Sequence, residues 1–136
     1  MQKEIYLRIC YWWGAIADAL LGMEMFCSAF LGSNSPFTGF GMTIDGGPEY
    51  RYAIAIAATF MLVWTILLLW ADRKPLERKN ILLLLIPVIF GLRISIFLGY
   101  YFGVLSIERV IFDTILSMIL LILIIFSFFN ARKTEN

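Results

Sequence analysis

Three ionisable side chains sit inside stretches otherwise apolar enough for lipid: Asp18 and Glu24 within Ile9–Phe30, and Arg93 within Ile81–Phe102. A charge near the centre of a bilayer costs at least about 2.5–3.5 kcal/mol on insertion scales, so it normally faces a partner, a water-filled cavity or a functional task. A carboxylate at that depth can hold a proton or a cation. A guanidinium can hold a carboxylate or phosphate through a planar fork of donors. Asp113, near the start of a further apolar stretch, is another candidate. It either pairs with Arg109, four residues earlier on the same helix, or joins a central charge cluster.

Arg93 can neutralise one acid. The second is then expected to be protonated, hydrated or bound to a cation, which points to a proton- or cation-sensitive site. The competing role is structural: a buried pair that only fixes helix register.

Composition bounds the setting. Of 136 residues, 61% are hydrophobic and 15% charged, against about 45–50% and 25% in ordinary globular domains, so this is an integral membrane protein. A net charge of +1 gives no reason to expect nucleic acid. The absence of histidine removes bis-imidazole haem ligation, the usual zinc sites and a histidine base. Cys10 and Cys27 lie on one helix roughly 25 Å apart, too far to bond, which excludes a thiol–disulfide exchanger built on that pair. No cofactor or metal is expected.

Four stretches reach spanning length: Ile9–Phe30, Tyr52–Trp70, Ile81–Phe102 and Val110–Phe129. Lipid offers the backbone no hydrogen bonds, so each should be helical. The expected architecture is an all-α four-transmembrane-helix bundle, a single membrane domain over residues 1–136. The two acids interrupt the first apolar run, which argues for a retained helix rather than a cleaved signal peptide. Lys3, Arg8, Arg73, Lys74, Arg78, Lys79, Arg132 and Lys133 fall on one side, against Arg51 and Arg109 on the other. The positive-inside rule therefore places both termini and the loop 71–80 in the cytoplasm of a cell-membrane protein, and the loop 31–51 outside. Phe37, Phe40 and Met42 make that outer loop either a cover over the bundle mouth or a lid on an outward cavity. Asn34-Ser35-Pro36 is not a glycosylation sequon.

Gly91, Ser95, Gly99 and Gly103 recur every four residues, a spacing that predicts a ridge for close helix packing or a homo-oligomer contact. Gly14 and Gly22 flank Asp18 on a similar ridge. Arg93 projects about 200° from Gly91, on a face shared with Phe97 and Tyr100. Asp18 and Glu24 are about 240° apart and cannot both face one helix squarely. Counted from the cytoplasmic end, Asp18 lies roughly 14–15 Å deep, Arg93 about 18–20 Å and Glu24 about 22–24 Å, so Arg93 can reach either acid. Pro87 is expected to kink the third span.

The leading expectation is a ligand-binding membrane protein with a charged intramembrane site. Asp18, Glu24, Arg93, Trp64, Phe97, Tyr100 and Asp113 would line a cavity that binds or translocates a small cationic or amphipathic ligand, or protons. A four-helix pathway is narrow, so a homo-oligomer or a membrane partner protein is expected. The alternative is a structural or assembly subunit of a larger membrane complex. An intramembrane acid–base enzyme acting on a lipid-like substrate ranks below both, because no nucleophile motif supports it. In helix count and in carrying an acid on the first span, the chain resembles small multidrug transporters and sterol-isomerase-like four-helix proteins; no motif carries residue roles across.

Overall fold

A computed structural model describes residues 2–32, 47–103 and 105–132. Over these residues the protein is all-helical, in the order α1 (Gln2–Leu31), α2 (Pro48–Asp72), α3 (Ile81–Tyr101) and α4 (Ile107–Arg132). All four are long and apolar enough to cross a membrane. α1, α2 and α4 run past the apolar bounds. Hydropathy marks the slab that lipid covers, whereas helical hydrogen bonds continue through polar flanks. Local chemistry sets several ends. Pro48 opens α2, where its missing N–H costs nothing, with Glu49 in the first turn. Gly32 follows α1 at φ +57° and Gly103 follows α3 at φ +71°, left-handed conformations that favour glycine. Phe37, Phe40, Met42 and Asn34-Ser35-Pro36 lie outside the described residues.

The closest seam joins α1 to α2. A Cβ on Gly14 would stand 3.0 Å from Leu68 Cδ1, and one on Gly22 would stand 3.1 Å from Met61 Cβ and 3.2 Å from Leu62. Two glycines on one ridge thus bring the helices together where lipid gives no hydrophobic drive for association.

α3 and α4 join this pair mainly at one end. Leu7, Tyr11, Leu68, Leu82 and Ile124, one or two from each helix, are all at most 1% exposed and belong to one core. Tyr6 meets Phe126 edge to face at 5.5 Å, and Cys10 Sγ lies 3.3 Å from Ser127 Oγ. The start of α1 is therefore beside the end of α4, and both termini share one end of the bundle. The connection between α2 and α3 is fastened there too. The Arg78 guanidinium lies 3.4 Å from the Trp70 ring centroid and donates to the Trp70 carbonyl. Tyr11 Oη donates to the Arg78 carbonyl at 2.9 Å, and Trp12 Nε1 donates to Asp72 Oδ2 at 3.2 Å.

The ridge expected on α3 does not pack as its spacing suggests. A Cβ on Gly91 would meet nothing within 4 Å. A Cβ on Gly99 would lie 2.8 Å from Leu105 Cδ1, so this glycine serves the turn into α4, where the Leu105 N–H donates to the Gly99 carbonyl at 3.2 Å. Gly103 sits in the same turn, and the Ser95 hydroxyl is turned back to the Gly91 carbonyl at 3.1 Å. Four-residue periodicity alone cannot distinguish a helix seam from a turn that happens to need two glycines.

Gly22→Leu is expected to lower the melting temperature in detergent by several degrees, because overpacking a tight contact costs about 1–3 kcal/mol. Gly91→Leu should leave it unchanged within a degree or so. Equal effects from the two substitutions would mean that α1–α2 is not the tight seam.

Candidate functional site

Above the core the two hairpins, α1–α2 and α3–α4, separate around a cavity of about 580 Å³. Its floor is formed by Trp13, Leu85 and Leu120, next to the buried cluster at the termini end. Among the described residues its wall comes from α1, α3, α4 and Leu105 of the α3–α4 turn, with none from α2. Leu20 and Phe112, on that wall, are 60% and 61% exposed, so the cavity reaches the bundle surface through an apolar rim.

Asp18, Glu24, Arg93, Arg109 and Asp113 all face this space. The opposed directions of the two acids on α1 do not separate them, because the cavity is wide enough to take in both. Asp18 is only 7% exposed and Glu24 5%. Asp18 Oδ2, Glu24 Oε1, and Arg93 Nε and Nη1 are buried without a hydrogen-bond partner. The expected pairing of Arg93 with one acid is therefore not what forms. The helices that carry these groups stand apart across the cavity instead of touching. Asp113 does pair locally, with Arg109 Nε 2.8 Å from Asp113 Oδ2, one turn apart on α4. That pair also belongs to the cluster, since Arg109 and Asp113 line the same cavity as Glu24 and Arg93. Local ion pair and cluster membership, posed as alternatives, coexist.

The unpaired atoms contrast with the other polar groups in the spans. The hydroxyls of Thr59, Thr65, Ser95, Thr114 and Ser117 each donate to the carbonyl four residues earlier, which satisfies them within their own helices. Trp64 Nε1 is a further buried donor without a partner, but Trp64 packs against the core, away from the cavity wall. Phe97 and Tyr100 are also off the wall, 56% and 47% exposed. The reason is the rotation of α3: Leu92, Ile96 and Gly99 turn inward with Arg93, which carries Phe97 and Tyr100 outward.

Trp13 and Arg109 are wall residues that sequence reasoning did not place in the site. Trp13 stands beside Tyr11 and Trp12, where an interfacial belt is expected. Its spacing to Ala17, Leu20 and Glu24 was the available signal, since these positions share one helical face. Arg109 was assigned only as a local partner.

Chemically, the site offers carboxylate oxygens and guanidinium N–H groups in a mostly apolar chamber, with an aromatic ring at its floor. It can bind charge and exclude bulk water. Among the described residues no group of three or more metal-ligating side chains comes together.

Replacing Glu24 by Met tests what the acid is for. Removing a buried unpaired polar group relieves a cost of about 1–3 kcal/mol, so the ligand-free variant should melt higher than the parent protein. If Glu24 instead held helices in register, the variant would melt lower. No family model, curated protein or solved structure matches this chain.

Proposed function

We propose that this protein binds a small cationic or amphipathic ligand in the cavity between its hairpins, as a membrane carrier or receptor. The observation that carries the reading is the set of unpartnered buried atoms on one wall: Asp18 Oδ2 and Glu24 Oε1 turned into a space of about 580 Å³. That volume falls in the range of ligand sites, about 300–1,000 Å³. Leaving buried acceptors empty costs stability, and a bound cation or proton recovers it. The apolar rim at Leu20 and Phe112 suits an amphipathic ligand that enters from lipid.

The protein is placed in the cell membrane with both termini in the cytoplasm, on the strength of its basic residues. In that orientation the cavity faces the outer half of the bilayer. A homo-oligomer or a membrane partner protein would complete any pathway through it. The exposed face around Gly91, with open space beside it, is a surface such a partner could approach closely. That same face supports the second reading, a subunit of a larger membrane complex.

Two measurements test this. Reporter fusions at the C-terminus should be active in the cytoplasm and silent when directed outside. In detergent, a panel of alkylammonium ions and short-chain lipids should contain a member that binds saturably, and the Asp18→Asn/Glu24→Gln double variant should weaken that binding at least tenfold. Absence of saturable binding across the panel would remove the ligand-binding reading in favour of the subunit reading.

A further inference from the structure

We infer that the ligand is a zwitterion: an ammonium group held by Asp18 and Glu24, joined through a short linker to a carboxylate or phosphate held by Arg93. The inference rests on the ligand-binding reading above and narrows it to one chemical class.

The cavity carries unsatisfied groups of both signs on opposite walls. Asp18 Oδ2 and Glu24 Oε1 are acceptors on α1, and Arg93 Nε and Nη1 are donors on α3. Close helix contact would have let them neutralise one another, but the hairpins stand apart. A cation alone would satisfy the acids and leave the guanidinium without an acceptor in a largely apolar chamber. An anion alone would leave both acids bare. A molecule bearing both charges satisfies the whole set. Arg109 and Asp113 line the same cavity but pair with each other at 2.8 Å, so together they add no net charge to it.

Asp18, Glu24 and Arg93 line one cavity of about 580 Å³, which has room for such a molecule. Six residues separate Asp18 from Glu24, about 9 Å along the helix. An ammonium has three donors, enough to engage two carboxylates. A guanidinium prefers planar or tetrahedral oxyanions. A head group of this kind, such as aminoethyl phosphate, exists free and as the polar end of a phospholipid. Leu20 and Phe112 at the rim leave an apolar exit for the chains of the lipid form.

The experiment uses the full chain in an uncharged detergent and four probes: dihexanoyl phosphatidylethanolamine, dihexanoyl phosphatidylglycerol, hexylammonium and free phosphoethanolamine, titrated calorimetrically. The phosphatidylethanolamine should bind at least tenfold tighter than the phosphatidylglycerol or hexylammonium. Arg93→Gln should reduce it to the level of hexylammonium, whereas Arg93→Lys should retain part of the preference, which separates charge recognition from misfolding. Asp18→Asn/Glu24→Gln should reduce it to the level of the phosphatidylglycerol. Free phosphoethanolamine binding as tightly as the lipid assigns recognition to the head group alone; binding at least tenfold weaker assigns it to the lipid. If hexylammonium binds as tightly as the phosphatidylethanolamine and Arg93→Gln changes nothing, the zwitterion is wrong while cation binding stands. If no probe binds, both fail.

Discussion

The height at which the apolar core stops governs the rest of the molecule. Below Ala15, Ile89 and Leu120, side chains from all four helices close on one another. Above that level α1 stays with α2 through its glycines while α3 and α4 lean away. A core that continued upward would have left no chamber and would have forced Arg93 against the acids. Because it stops, Asp18, Glu24 and Arg93 keep buried atoms without partners, at a cost of about 1–3 kcal/mol for each unsatisfied group. Packing at the termini end must offset that cost.

The charged groups are held by helix backbone rather than by loops. Asp18 sits between Gly14 and Gly22 on the ridge that grips α2, so the helix best anchored laterally also carries both acids. Arg93 lies on the helix with the fewest buried hydrophobic residues among those described, beyond Pro87. The acidic wall is thus the fixed one and the basic wall the less restrained one.

Much of this was legible in the sequence, and the residues show why. Four spans followed from the need to pair backbone groups in lipid, and the out-of-place charges marked the site because so few residue types tolerate such depth. The facing of α3 was not legible. Its residues are apolar nearly all round, so no polar stripe says which side is inward, and Phe97 and Tyr100 could be assigned to the cavity as easily as Leu92 and Ile96. The four-residue repeat of Gly91, Ser95, Gly99 and Gly103 imitated a packing ridge while serving a turn and a cavity wall. The separation of Arg93 from the acids was beyond depth counting, which gives height along a helix and not distance across a bundle.

The fastening at the termini end has its own consequence. Tyr11 on the Arg78 carbonyl, Arg78 stacked on Trp70 and Trp12 on Asp72 seal the end below the chamber floor. Among the described residues, packed side chains rather than an opening lie at this end of the chamber. If the chamber holds a ligand as proposed, exchange at the rim would not by itself open a path through this end. Passage to the far side would require these aromatic and arginine contacts to open while the mouth is shut, and that exchange, rather than the charges in the chamber, would set the direction and cost of movement.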